Sequence, residues 1–430
     1  MAEHKKKKII KIIKNAKTKK TKPKIKKVVK KIALTKKVIK KVIKKIAKKS
    51  TKKSVIKKKI VKKSAIKKKI IKKAVKTEKE TKVKLEKHNQ NPIMSPSMYA
   101  WESEATFNPA AVYHGGWVHL FYRGMGPDGI SRIGYAKSKD GINFDDRLFH
   151  PVYFMPSVEV ASKHFPFTSP ARPVFDPHIY ASGGGWGGAE DPRAVVIDGV
   201  LYMTLNIFNG WHSMRVAVLS INESDLLKQK FIWKDFSFLT HEGDRQKNWV
   251  LFPEKINGKF AVFHNLDMND GDTSRVGIAF TDELSPKDMP KGDDAPDPQR
   301  LPDHIVSWHK RTRSASCPPI KTKDGWLVLY HAMDSDGSDK YKLGAMLLDL
   351  NDPTRVIARS AHPILEPEEW YENDYKPGII YASGAVVKDG TLFVYYGGGD
   401  KHIGVATLEL DELLKSIKSG GDLKMKKIKN

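Results

Sequence analysis

From about residue 100 the chain alternates short apolar runs with Gly turns, and one pattern recurs five times. A turn leads into an aromatic or β-branched run at Gly115-Gly116-Trp117 to Tyr122, Asp198-Gly199 to Thr204, Asn257-Gly258 to Phe263, Asp324-Gly325 to Tyr330 and Asp389-Gly390 to Tyr396. Runs of this kind, bounded by Gly, Asn and Asp, predict β-hairpins. Each is followed by a strand with small residues interleaved, as in Ile133-Gly134-Tyr135-Ala136 and Ile403-Gly404-Val405-Ala406. Each is preceded by a leading strand that opens on polar or small residues: Asn108-Pro109-Ala110-Ala111, Glu190-Asp191-Pro192-Arg193, Phe252-Pro253-Glu254-Lys255, Ser316-Cys317-Pro318-Pro319 and Ser383-Gly384-Ala385. Successive turn glycines stand 83, 59, 67 and 65 residues apart. Antiparallel units repeated at periods above about 40 residues predict an all-β fold, here a five-bladed β-propeller. With the leading strands innermost, Asn108, Asp191, Arg193, Lys255 and Ser316 would converge on one central depression.

Charge divides the chain. Residues 1–90 hold 40 Lys, no Arg and four acids, a net +36, whereas the remainder carries −6. Like charges at helical spacing repel, so this segment is expected to be disordered or only fitfully helical in water. Apolar stripes at 25, 28, 29, 32 and at 39, 42, 43, 46 would become amphipathic helices on an anionic surface, either nucleic acid or anionic lipid. Lys neutralises phosphate as a point charge, and the segment has no Arg or aromatic residue for reading bases, so any such contact would be nonspecific. The expected organisation is a Lys-rich extension over 1–90, the propeller over 91–415 and a basic tail over 416–430. No uninterrupted apolar leader is present, and Cys317 is the lone cysteine. The expected location is the cytoplasm.

Gly188-Ala189-Glu190-Asp191-Pro192-Arg193 places two carboxylates and a guanidinium at the mouth of the apolar run Ala194-Val195-Val196-Ile197. Charges beside a buried strand are costly to desolvate, which points to a ligand site. The preceding Gly183-Gly184-Gly185-Trp186-Gly187-Gly188 contains a GxGxxG spacing but leads into a strand, so it is a loop beside the acids, with Trp186 available to stack on a ligand, rather than a dinucleotide motif. The Asp-rich loops 267–272 and 334–339 do not keep the EF-hand register and read as solvated turns. His264 and His331 end equivalent strands in two units, without the further spacing of a zinc site.

Residues 100–412 resemble glycoside hydrolase family 130. The segments that carry the resemblance are Phe107-Asn108-Pro109-Ala110-Ala111, Phe121-Tyr122-Arg123, Gly188 to Arg193, Asn248-Trp249-Val250-Leu251-Phe252-Pro253-Glu254-Lys255, Pro318-Pro319-Ile320, Gly325-Trp326 through Tyr330-His331, Leu343-Gly344-Ala345 through Leu350, and Pro363-Ile364-Leu365. The resemblance implies a five-bladed propeller that cleaves β-mannosides with inorganic phosphate as co-substrate and no cofactor or metal, releasing α-mannose 1-phosphate with inversion. It implies Asp191 as the general acid, acting through a sugar hydroxyl, and Asn108, Glu190, Arg123 and His331 as substrate-binding residues. Arg193, Lys255 and His264 are implied around the phosphate. The Lys-rich segment lies outside the resemblance.

An inverting phosphorylase needs one carboxylic acid and a cationic cradle, whereas a hydrolase needs a second carboxylate to activate water. The chain departs from many family phosphorylases at His264-Asn265, where they carry His-Arg, and at Arg311-Thr312-Arg313 before the prolines, where Arg311 or Arg313 would have to compensate. Two alternatives stay open at this level: a β-mannoside hydrolase with Glu190 or Asp400 as base, and a propeller that only binds carbohydrate.

Overall fold

The computed structural model describes residues 83–156, 175, 182–210, 214–266, 275–289, 308, 311–333 and 340–419. The Lys-rich segment as far as residue 82, both Asp-rich loops, the side chains of Asn265, Arg311 and Arg313, and the tail from 420 lie outside the described residues. The chain divides into Met1–Thr81 and Lys82–Asn430, and all described residues belong to the second unit.

Strand β1 (Glu86–Lys87) precedes five antiparallel groups. The first is β2 (Ala105–His114), β3 (Trp117–Met125) and β4 (Ile130–Ser138), edged by β5 (Asp146–Arg147). The second is β6 (Gly187–Ile197), β7 (Val200–Phe208), β8 (Met214–Asn222) and β9 (Lys234–Phe238), with the short helix α1 (Glu223–Leu227) after β8. The third is β10 (Val250–Leu251), β11 (Phe260–Leu266) and β12 (Arg275–Thr281). The fourth contains β13 (Arg311–Ala315), β14 (Ile320–Thr322), β15 (Gly325–Met333), β16 (Lys342–Leu348) and β17 (Val356–Arg359). The fifth is β18 (Ile380–Lys388), β19 (Thr391–Gly398) and β20 (His402–Glu409), followed by helix α2 (Leu410–Ser419). The fold is therefore all-β with few helices. At Asp198-Gly199, Asn257-Gly258 and Asp389-Gly390 both turn residues have positive φ. This backbone matches the twist of the flanking strands, which is why these pairs form tight hairpins.

Apolar faces of consecutive groups pack on one another. Phe121 and Tyr135 meet Leu201 and Met203 between the first and second groups. Val195 and Val218 meet Trp249 and Val262, Phe252 and Phe263 meet Trp326 and Val328, and Leu327 and Leu343 meet Ile380 and Leu392. Tyr395 and Val405 of the fifth group then pack against Leu120 and Tyr122 of the first. The first two groups differ from independent repeats, because β4 and β6 pair in parallel, Ile130 with Gly187 and Ser131 with Gly188, and join into one sheet. Among the described residues no helix is long and apolar enough to cross a membrane.

The expected boundary at 90 lies past an ordered strand, and the one at 415 falls inside a helix. β1 forms the outer strand of the fifth sheet, pairing Glu86 with Thr407 and Lys87 with Ala406, and Leu85 is buried beneath it. Lys87 Nζ lies 2.7 Å from Oε2 of the fully buried Glu372, which also accepts from the Glu368 and Glu369 amides and the Tyr396 hydroxyl. At the other end α2 runs through 415 and buries Leu413, Leu414 and Ile417. The sequence masked β1 because Glu86 and Lys87 continue the Lys-rich texture; their pairing is tertiary. A variant beginning at residue 82 is expected to melt with the full chain, whereas one beginning at 91 loses Leu85 and the Lys87–Glu372 pair, about 3 kcal/mol. Calorimetric melting of the two variants checks this, and equal midpoints would refute a structural role for β1.

Candidate active site

Four leading strands break register at equivalent places: between Phe107 and Ala110, Glu190 and Arg193, Thr312 and Ser314, and Ala382 and Gly384. In the first two the unpaired residues are Asn108-Pro109 and Asp191-Pro192. Pro needs no ladder hydrogen, and Asn and Asp tolerate left-handed backbone, so Asx-Pro suits a bulge. Asn108 has φ +49 and Asp191 +48, and Asn248, just before β10, has +63. The two bulges aim Asn108 and Asp191 at one another.

Asp191 Oδ1 accepts from Asn108 Nδ2 at 2.8 Å and from Arg123 Nη1 at 3.2 Å, while Oδ2 lies 3.5 Å from Asn206 Nδ2. Arg123 also donates to Glu190 Oε1 at 3.1 Å, to the Ser182 carbonyl at 2.7 Å and to Ser131 Oγ at 2.9 Å. Glu190 Oε2 accepts from Ser182 Oγ at 2.6 Å and from Lys247 Nζ at 3.0 Å, and Lys247 also donates to Ser182 Oγ. Asn206 receives the Asn248 amide at 2.8 Å and donates to Asn248 Oδ1 at 3.2 Å. The loop before β6 closes over this cluster: a Cβ on Gly183, at φ +54, would lie 2.8 Å from Arg123 Nη1.

Arg193 ties three groups together. Its Nε donates to the Ser316 carbonyl at 3.0 Å, Nη1 to the Asp191 carbonyl at 2.5 Å and Nη2 to the Tyr381 hydroxyl at 2.9 Å. Arg123, Arg193, Lys247, Glu190 and Asp191 are all buried. Burial pushes the Asp191 carboxyl up, but Arg123, Lys247 and Arg193, with the Asn108 hydrogen bond, outweigh it and hold its pKa below the ordinary value. The resting site thus presents an ionised Asp191 inside a cationic ring.

The model of the family described as beta-1,4-mannooligosaccharide phosphorylase matches residues 76–419. The chain belongs to glycoside hydrolase family 130. It is 36% identical over 340 residues to the 1,2-beta-oligomannan phosphorylase of Thermoanaerobacter sp. (strain X514), covering 77% of this chain and 99% of that protein. To the beta-1,2-mannobiose phosphorylase of the same organism it is 35% identical over 351 residues, again 77% and 99%. The solved structure of the beta-1,2-mannobiose phosphorylase from Listeria innocua, with beta-1,2-mannobiose, has a similar fold, with TM-score 0.57 at 22% identity over 78% of this chain and 99% of that one.

Within this family scaffold Asn108, Arg123, Glu190, Asp191, Arg193 and the Ser316 carbonyl come together. Other residues named from the sequence fall elsewhere. Lys255 lies 3.6 Å from Asp198 at the β6–β7 turn, and its ammonium sits over Phe260. The leading strand of the third group runs from the site toward its hairpin, so its site end is Lys247-Asn248, and Lys247 occupies the position expected of Lys255. The spacing carried this signal: Asn108 and Asp191 each stand eight residues before the turn glycine, a count that leads to the start of β10 and not to Pro253-Glu254-Lys255. His331 is fully buried; its Nε2 accepts the Ala382 amide at 3.0 Å, leaving Nδ1 to donate to Ser314 Oγ at 3.3 Å. Its ring stacks on Tyr381 at 4.4 Å, so it supports the partner of Arg193. His264 is buried against Trp249, 5.5 Å between rings. Trp186 is 43% exposed, and Asp400 is buried on the β19–β20 turn at φ +54. Asn206 and Ser182 had no sequence signal, because each acts through a contact formed only on folding. Among the described residues no cluster of acids, His or Cys could hold a metal ion.

A carboxyl whose pKa is lowered by folding stabilises the fold above its unfolded pKa and loses that contribution as pH falls through the folded value. Asp191→Asn is therefore expected to melt below the parent at pH 7, the gap narrowing below about pH 4. Melting curves across that range check the sign; a gap that widens on acidification would contradict it.

Proposed function

We propose that this chain catalyses inverting phosphorolysis of β-1,2-linked mannooligosaccharides, giving α-mannose 1-phosphate and a shortened chain. The observation that carries the reading is the charge arrangement: three cations surround two carboxylates, and both oxygens of Glu190 are taken by Arg123, Lys247 and Ser182. Glu190 holds cations in place and is poorly suited to activate water. An anionic nucleophile needs no base, only the cationic cradle. The β-1,2 linkage follows the two Thermoanaerobacter relatives, matched over nearly their whole length. The five strand groups, whose apolar seams run from the first to the fifth and back to the first, are read as the blades of a propeller around this site.

Asn108 Oδ1 is a buried acceptor without a hydrogen-bond partner, and a sugar hydroxyl would satisfy it. Hydrogenphosphate attacks the anomeric carbon from the face opposite the leaving oxygen. The glycosidic C–O bond breaks, and the leaving oxygen takes a proton through Asp191 and a sugar hydroxyl. The proton surrendered by hydrogenphosphate balances the one gained by the released alcohol. Asp191 is ionised at rest, so it must gain its proton as the complex forms. Phosphate beside Lys247 and the two arginines neutralises the cations that depress its pKa, and burial then favours the protonated form.

Wild-type protein with β-1,2-mannobiose is expected to release mannose 1-phosphate only when phosphate is present, identified by NMR. Equal release of free mannose with and without phosphate would favour hydrolysis, and an Asp400→Asn variant would then test that residue as base. Saturable sugar binding without turnover would leave a binding module. Asp191→Asn is expected to lose at least about a hundredfold in rate.

The 37 lysines before residue 82 are read as a contact for a phosphate-bearing polyanion, with the catalytic unit independent of it. A variant beginning at residue 82 is expected to keep full turnover and lose salt-sensitive retention on DNA and on anionic vesicles. Equal retention of both proteins would refute a binding role.

A further inference from the structure

Trp370 is 62% exposed, yet it sits on a fixed base. It opens the turn Trp370–Glu372, closed by a capping box in which Glu369 and Glu372 bond each other's amides. The indole stands edge-to-face against His402, 5.5 Å between ring centres, and against Tyr371 at 5.8 Å. His402 is itself held: Asp374 Oδ2 accepts from Nε2 at 2.9 Å, which leaves Nδ1 to accept the Ser95 hydroxyl at 3.0 Å. Lys401 Nζ lies 2.8 Å from the same Asp374 oxygen. An exposed indole beside a half-exposed carboxylate and ammonium is a poor match for an apolar protein face. It fits a pyranose, which offers a C–H face to stack and hydroxyls around its rim.

The platform is continuous with the catalytic cluster. The Lys401 carbonyl accepts the Thr106 amide at 3.0 Å, two residues before Asn108. Gly397 approaches Asn108 so closely that a Cβ there would lie 2.2 Å from Oδ1. The segment carrying Trp370 is bonded to the same turn, Lys376 N to the Gly399 carbonyl at 2.9 Å and Gly399 N to the Ile379 carbonyl at 3.0 Å.

We propose that Trp370 is the floor of a distal sugar subsite, which stacks a mannosyl ring of the leaving chain beyond the bond that is cleaved, with Asp374 and Lys401 bonding its hydroxyls. The subsite rests on the β-mannoside reading above and adds to it a preference for chains of three or more sugars. Trp370→Ala is expected to raise KM for β-1,2-mannotetraose about tenfold with kcat nearly unchanged, while KM for β-1,2-mannobiose moves less than about twofold. Trp370→Phe is expected to recover most of the loss. Equal effects on both lengths, or none on either, would overturn the subsite. Calorimetric titration of mannotetraose into wild type and Trp370→Ala, without phosphate, decides the matter independently of turnover. Binding weakened about tenfold supports the platform, and unchanged binding refutes it. Absence of mannose 1-phosphate from wild type would instead sink the phosphorolysis reading.

Discussion

The pairing of Arg123 with two adjacent carboxylates is the constraint from which the rest of the site follows. On a regular strand Glu190 and Asp191 would point to opposite faces. Here the register break and the left-handed Asp191 turn both toward one guanidinium. Asp191 and Pro192 pair with no neighbour, and Arg193 returns to the ladder opposite Thr204. A straightened β6 would send one of the two carboxylates away from Arg123 and leave that cation short of a partner in a buried place.

Such a cluster is stable only as a whole, since each buried charge is compensated by the others and by fixed hydrogen bonds. Ser182 links Glu190, Arg123 and Lys247; Asn206 and Asn248 bond each other behind Asp191; Tyr381 and the Ser316 carbonyl fix Arg193. The protein uses this density to hold a carboxylate ionised where burial alone would neutralise it. The same balance makes Asp191 responsive to an incoming anion, because a phosphate among the cations removes part of what keeps the proton away.

The hairpins, the all-β class and the family were legible because they rest on local chemistry: Asx-Gly turns, alternating apolar runs and motifs such as Phe107-Asn108-Pro109. Asn108, Arg123, Glu190, Asp191 and Arg193 were legible for the same reason, each lying inside a motif. Lys255 was misplaced because its Pro-Glu-Lys string imitates the charged leading strand of the second group, while the fold sets position by distance from the turn. Lys247 went unnoticed as one more lysine before the Asn248-Trp249 motif. β1 was hidden in Lys-rich sequence, and its place is set by Leu85 and Glu372, residues far apart in the chain. His331 was expected to bind substrate, whereas in the fold both of its ring nitrogens are bonded inside the protein.

In the proposed reaction Asp191 is ionised at rest and gains a proton when phosphate enters the cationic ring. Calorimetric titration of phosphate, with sugar bound, into wild type and Asp191→Asn in buffers of different ionisation enthalpy measures that proton directly. Proton uptake is expected to be greater in wild type than in the variant, the difference assignable to Asp191. Identical buffer dependence in the two proteins would contradict it.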